Sequence, residues 1–289
     1  MNNIPAPTHT AAVASTNDTK IAVYTRAFLG LLQRDFRVLT REIVPFLIRI
    51  AMNPLLFLFV FTFVMPHMSG GANLSPTAGM AGAGGFGTVL LPGLMAVAIM
   101  FSGIAAVALP LAQEFGVTRE IDDRVMCPLP IGFVAIEKIV FSAIQSIFAA
   151  AVVFPLAYYI PSTPVLAHVN SWPFFIAVLV LASLLAGALG LTIGTFVQPK
   201  QIGLIFGVVI MPITFLGCVY YPWAALGSIK WLQIGVLINP IVYITEGLRA
   251  ALTPTIGHMP DATILAMLLF FFVLLTLLGL RGFANRVLS

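Results

Sequence analysis

Several stretches of about 20 nearly uncharged residues recur along the chain, each long enough to cross a hydrocarbon layer of about 30 Å as a helix. A water-soluble fold cannot hide so much apolar surface. Hydrophobic residues make up 60% of the chain and charged residues 8%, against roughly 45–50% and 25% in an ordinary globular domain. The apolar runs are continuous and do not alternate with a period of two, which excludes an outer-membrane barrel. The expected fold class is therefore an all-α polytopic membrane protein.

Spans are expected at about 50–66, 88–112, 134–160, 173–197, 202–221 and 262–280. Six spans put both termini on one side. Twelve of the 14 Lys and Arg residues fall on that side and only Lys230 and Arg249 on the other. Because basic segments are retained in the cytoplasm, both termini are expected there. The net charge of +4 thus reflects residues flanking spans, and nucleic acid is not an expected partner. Residues 1–19, polar and Ala/Thr-rich, read as a disordered tail without a signal peptide. Cys127 and Cys218 fall near opposite faces and cannot pair within the chain. The four His residues are too dispersed in sequence to form a metal set.

Three elements concentrate the chemistry. The first, over 20–42, is an amphipathic helix. At about 100° per residue, Ile21, Tyr24, Phe28, Leu31, Leu32, Phe36 and Leu39 share one side and Arg26, Arg34, Arg37 and Arg41 the other. This pattern suits a helix lying in the membrane interface. Asp35 is the one misfit on the apolar side. The second is the loop 113–130, with Glu114, Arg119, Glu120, Asp122, Asp123 and Arg124 in a chain that otherwise avoids charge. Thr118 can cap a short helix there, and Pro128 and Pro130 end it. Such a helix is suited to docking into another protein; a solvated connector is the plain alternative.

The third lies within 223–260, a stretch too apolar for a solvated loop yet interrupted by Pro240, Pro254 and Pro260. One more full span there would move Arg281 and Arg286 outside, against the charge bias. The stretch is therefore read as a re-entrant pair of short helices, tolerated at membrane depth only where protein or a water-filled cavity surrounds it. Glu246 and Arg249, three residues apart, share a helix face and can pair. They either fix the turn or serve a pathway.

Absences narrow the function. None of the four lysines follows a glycine, so the chain has no Gly-x-x-x-x-Gly-Lys-Ser/Thr phosphate loop. No Ser/His/Asp or Cys/His set emerges, and the spans carry isolated amides such as Gln145.

Specific residues then point to a family. Glu114, Gly116 and Pro128 follow a pattern of Glu-x-Gly with a Pro about a dozen residues later. Pro222, Asn239-Pro240, Tyr243 and Leu248-Arg249 follow a pattern of Pro … Asn-Pro-x-x-Tyr … Leu-Arg. In these motifs and in its span layout the chain resembles the permease subunits of the ABC-2-type transporter family over roughly residues 21–285. The resemblance implies a bacterial inner-membrane exporter subunit, with two permease chains, here expected to be identical, and two separate ATPase subunits. ATP and Mg would bind the ATPase, and this chain would carry no cofactor or catalytic residue. It also implies that Glu114, Gly116, Arg119, Glu120, Asp122, Asp123 and Arg124, with Lys200 in the 198–201 turn, contact the ATPase. The N-terminal helix would rest on it too. Asn239, Pro240, Tyr243, Glu246 and Arg249 would form a re-entrant gate.

Eight of the nine Trp and Tyr residues lie at outer span ends or in the re-entrant stretch, as in an interfacial aromatic belt. The spans themselves carry Phe, Leu, Met and Ala, which suits a hydrophobic or amphiphilic, drug- or lipid-like cargo. A lipid-linked polysaccharide exporter is the alternative, since the same aromatics can stack on sugars. An ion-coupled carrier is a further one, and it would need mid-membrane carboxylates of which Glu246 is the sole candidate. A membrane enzyme using Glu120, Asp122 and Asp123 is disfavoured by the intervening arginines.

Overall fold

The computed structural model describes residues 9–64, 85–118, 130–160 and 167–288, and among them the backbone is helical almost throughout, without strands. Nine helices carry the description: α1 His9–Arg41, α2 Ile43–Leu58, α3 Gly85–Gln113, α4 Ile131–Tyr159, α5 Trp172–Phe196, α6 Pro199–Phe215, α7 Lys230–Ile238, α8 Pro240–Leu252 and α9 Asp261–Leu288. Among the described residues, α3, α4, α5 and α9 are long and apolar enough to cross a membrane. Helices α2 and α6 are shorter apolar helices. Four of the six expected spans thus coincide with long helices, while the other two fall on the shorter α2 and α6.

Their boundaries have local causes. Helix α1 starts at His9, upstream of the boundary at residue 20 set from the sequence; Ala11, Ala12 and Ala14 are strong helix formers. Helix α2 contains Pro54 and continues as wider π turns over Phe59–Val64. Pro54 lacks the N–H that an α-helical ladder needs. Helix α6 stops at Phe215, six residues before the end expected from hydropathy. Hydropathy stays high there, but Cys218 adopts φ 54° and the chain turns over. That left-handed conformation cannot continue a helix. Helices α7 and α8 meet at 101° around Asn239, a bend inside the stretch 223–260 and beside Pro240, one of the three prolines expected to interrupt it.

Helix α3 forms the centre: 78% of its apolar window is buried in the protein, against 17% for α9. Close packing around it uses small residues, as expected where no hydrophobic force acts between helices in lipid. A Cβ added to Gly190 of α5 would stand 2.9 Å from the Ile104 carbonyl oxygen of α3, and one on Gly194 2.9 Å from Leu111. Two hydroxyls bridge helices through the apolar interior: Ser142 donates to the Gly103 carbonyl at 3.0 Å and Thr192 to the Leu275 carbonyl at 3.0 Å. Larger side chains at these positions would hold α3, α4, α5 and α9 apart.

Residues 65–84 and 119–129, and with them the Gly-rich stretch, His67, Arg119, Glu120, Asp122, Asp123, Arg124, Cys127 and Pro128, lie outside the described residues, as do residues 1–8 of the tail.

Candidate functional site

Helix α8 is nearly all buried, and what it buries includes Glu246 and Arg249, neither of which has measurable exposure. An uncompensated charge in an apolar interior is costly, so every polar atom needs a partner. Arg249 Nη1 donates to Glu246 Oε1, and Arg249 Nη2 donates to the Cys218 carbonyl at 3.0 Å. Glu246 also accepts from two backbone amides, Trp223 N at 3.0 Å and Met259 N at 3.2 Å. The i,i+3 pair therefore ties together three segments: the turn after α6, the stretch before α7 and the connection between α8 and α9. Thr245 adds a fourth link by donating to the Gly217 carbonyl at 2.8 Å.

Side chains also hold the bend at the start of α8, whereas Arg249 Nε is buried without a hydrogen-bond partner. Asn239 Oδ1 accepts from Ile241 N at 3.0 Å, an N-cap, while its Nδ2 donates to the Ile213 carbonyl at the end of α6. Pro240 occupies the first helical position, where a missing N–H costs nothing. Tyr243 donates its hydroxyl to the Leu237 carbonyl at 2.9 Å, and its ring packs against Phe271 of α9 at 5.8 Å. The turn at Cys218 and Val219 is pressed onto α3: a Cβ on Gly93 would lie 2.0 Å from the Val219 carbonyl oxygen. Only glycine lets the backbones approach so closely.

At the opposite, basic end of the bundle a second cluster forms. Glu114, at the end of α3, pairs with Lys138 of α4 at 2.9 Å, and both side chains are buried. Phe115 stacks edge-on to Phe283 of α9 at 6.0 Å, and the Arg286 guanidinium lies 4.5 Å from the Phe115 ring centroid. Arg286 Nη1 donates to the carbonyls of Gly194, Thr195 and Val197 at the end of α5. Those carbonyls have no intrahelical donors, and a cation there suits the negative end of the helix dipole. Gly116 packs on Pro199, to which an added Cβ would come within 2.8 Å. The ends of α3, α5 and α9 and the start of α6 are thereby locked together.

The residues singled out from the sequence separate into these two clusters and a surface set. Asn239, Pro240, Tyr243, Glu246 and Arg249 come together around α8. Glu114 and Gly116 join the basic end, with Glu114 buried inside it. Lys200 is exposed nearby, and Arg26, Arg34, Arg37 and Arg41 are exposed along α1. Asp35 is half-buried and, with Arg34, lines a cavity between α1, α3 and α4. That explains a carboxylate on the apolar side of the helix. On that side Leu31 is buried with Val107, Leu111, Val134, Ala135 and Ile139 of α3 and α4, while Tyr24 and Phe36 stay exposed.

Five contributors escaped the sequence reading: Lys138, Arg286, Cys218 and the Trp223 and Met259 amides. A backbone amide leaves no trace in residue identity, and the partners of Lys138 and Arg286 lie 24 and about 90 residues away. A basic residue in the last turn of a C-terminal helix was the only available sign of Arg286. Among the described residues no group of three or more His, Cys, Asp or Glu could hold a metal ion.

The family model for the ABC-2 type transporter matches residues 26–253, a range that covers both clusters. No curated protein gives a match. The matched segment is well over half of the chain and includes the Glu114–Gly116 and Asn239–Arg249 motifs. The chain therefore belongs to the ABC-2 type transporter family and is a multi-pass membrane permease of an ABC transporter.

Proposed function

We propose that this chain is the transmembrane subunit of an ATP-driven exporter that moves a hydrophobic or amphiphilic, drug- or lipid-like substrate outward from the bacterial inner membrane. Members of the family normally work with an ABC ATPase. In this reading two copies of the chain form the pathway and a separate ATPase pair supplies the energy. The basic end is cytoplasmic, α2 and α6 complete six crossings, and α7 with α8 forms the re-entrant element. The loop carrying Arg119, Glu120, Asp122, Asp123 and Arg124 docks on the ATPase, with Lys200 and the arginine face of α1 beside it.

One observation carries the proposal: the roots of both inner connections are mechanically joined. Glu114 anchors the start of the loop to α4 through Lys138, Gly116 bears on Pro199 at the next connection, and Arg286 clamps the end of α5 to Phe115. A push on either connection is transmitted to α3, α5, α6 and α9 together. Glu114 in this reading positions the loop and leaves contact with the ATPase to the charges beyond it. ATP-driven closure shifts the bundle only through unequal contacts in its two states.

The test is reconstitution. The purified chain alone should show no ATP hydrolysis, and the native complex should contain a phosphate-loop ATPase. Charge reversal of Asp122 and Asp123 to Arg should uncouple hydrolysis from transport in that complex. Full coupling in the reversed variant would remove the loop from its role, and transport by the chain alone would overturn the proposal.

A further inference from the structure

The net charge of this chain is not spread along it. Between residues 20 and 49 six Lys and Arg residues stand against Asp35 and Glu42. The remainder has eight basic and eight acidic residues, so the whole surplus of +4 belongs to this one segment. Most of the segment is α1, an uninterrupted helix as far as Arg41. At about 100° per residue, Arg26, Arg37 and Arg41 fall within about 60° of one another along roughly 22 Å of helix, and all three are exposed. Asp35 and Glu42 instead line the cavity that α1 shares with α3 and α4. The acids border the bundle while the three arginines point away from it.

The depth of α1 follows from the company of Leu31. It is buried in one apolar cluster with Val107 and Leu111 of α3, Ile139 of α4 and Phe283 of α9. Approaching that level, α9 exposes Leu274, Leu277 and Leu278, and then Arg281 and Asn285. A helix that shows leucines to its surroundings and then switches to Arg and Asn has left the hydrocarbon. Phe283 lies two residues past Arg281, about 3 Å along the axis. Helix α1 therefore runs at the boundary between acyl chains and headgroups. Its remaining face agrees: Leu29 and Phe36, on one side of the helix between the bundle-facing residues and the arginines, are 61% and 47% exposed. Apolar side chains beside an arginine row match the acyl layer and the headgroup layer together.

We infer that the outward face of α1, formed by Arg26, Arg37 and Arg41, is a docking surface for anionic phospholipid headgroups, with Leu29 and Phe36 seated among the acyl chains. Phosphate is the matching chemistry, since a guanidinium donates two parallel hydrogen bonds to it. A basic row on an amphipathic helix is also drawn to a surface of anionic lipid over the range of a Debye length. An acidic soluble partner would cover the arginines and leave Leu29 and Phe36 facing water, which argues for lipid as the occupant. Because Leu31 packs on α3 and α4, lipid held by α1 steadies the end of the bundle where Glu114 pairs with Lys138. The export reading sets only which leaflet is involved; the binding itself depends on neither cargo nor direction.

The test is equilibrium binding of radiolabelled dioleoylphosphatidylglycerol to the purified full chain in a neutral maltoside detergent, without nucleotide or ATPase. Saturable binding is expected, weakened by salt and displaced by unlabelled phosphatidylglycerol. Dioleoylphosphatidylcholine, which has the same acyl chains, and glycerophosphate, which has the anion without them, should not displace it. Arg37→Gln should weaken binding by about fivefold, the worth of one basic group near an anionic surface. Arg26→Gln, Arg37→Gln and Arg41→Gln combined should weaken it by on the order of a hundredfold. Arg26→Lys, Arg37→Lys and Arg41→Lys combined should keep most of the affinity, because Lys and Arg count alike toward an anionic surface; this separates loss of charge from loss of fold. Affinity of the triple Gln variant within about twofold of wild type, or displacement by phosphatidylcholine as effective as by phosphatidylglycerol, overturns the inference. Displacement by glycerophosphate at the same concentration overturns it too, making the face a site for free anions. A triple Gln variant that keeps lipid binding but no longer recovers its ATPase from the native membrane assigns the face to the ATPase instead.

Discussion

Replacing Arg249 with Leu removes a guanidinium that has no contact with solvent and leaves Glu246 as an uncompensated carboxylate in the interior. Breaking a buried ion pair by deleting one partner costs about 3–5 kcal/mol. The Cys218 carbonyl, which accepts from Nη2 at 3.0 Å, loses its donor as well, adding about 1 kcal/mol or more. Against this, Glu246 keeps its two backbone donors, Trp223 N and Met259 N, which hold the carboxylate in place. The net loss should be about 4 kcal/mol, a large fraction of the stability of any domain. Glu246→Leu should cost at least as much, because it orphans Arg249 and two amides together. The double variant should fall within about 1 kcal/mol of the worse single one, since the second removal relieves a buried charge. Unfolding by sodium dodecyl sulfate in mixed micelles, followed by tryptophan fluorescence, measures all three. Trp223 reports directly, because its Nε1 donates to the Gln233 carbonyl at 3.1 Å within the same cluster. If Arg249→Leu unfolds within about 1 kcal/mol of the wild type, or if the two single losses add, the pair does not tie the three segments together.

Three further substitutions probe the remaining contacts. Gly93→Ala forces a methyl group against the Val219 carbonyl oxygen, 2.0 Å from the ideal Cβ position, and should destabilise the chain by about 3 kcal/mol, the upper end of overpacking costs; loss of the folded, monodisperse peak in size-exclusion chromatography reports it. Arg286→Ala removes three bonds to the end of α5 and the contact with Phe115, and should cost about 2 kcal/mol. Lys at 286 should restore only part of it, because an ammonium lacks the planar fork; the thermal midpoints of both variants decide this. Tyr243→Phe gives up one hydroxyl bond to the Leu237 carbonyl and should cost only about 1 kcal/mol, with the fold and the Phe271 ring contact kept.

Gly116→Ala is the informative variant for the proposed coupling. The added methyl meets Pro199 Cβ at 2.8 Å, a side chain that can give way, so the fold should survive while the two connections are pushed apart. Thermal stability within about 1 kcal/mol of wild type together with reduced transport per ATP hydrolysed is the expected result. Unchanged coupling would show that the Gly116–Pro199 contact does not transmit motion.

Hydropathy is a local sum, and for that reason the membrane class, the positions of the four long helices and the interrupted character of the stretch 223–260 could be read directly from residue order. The i,i+3 relation of Glu246 and Arg249 is equally local, because one helical turn brings the two residues onto a common face. The motifs that resemble the ABC-2 family lie within the matched segment for the same reason: they are short and contiguous. Tertiary structure alone decided which distant groups satisfy the charges. Lys138 neutralises Glu114, Arg286 caps a helix 90 residues earlier, and backbone amides at Trp223 and Met259 complete the shell of Glu246. It also ended α6 at Phe215, because packing against Gly93 turns over a stretch whose hydropathy would have continued the helix. In an interior that excludes water every polar atom must find its partner inside the protein, and where that partner stands is a property of the folded bundle, invisible in the spacing of residues along the chain.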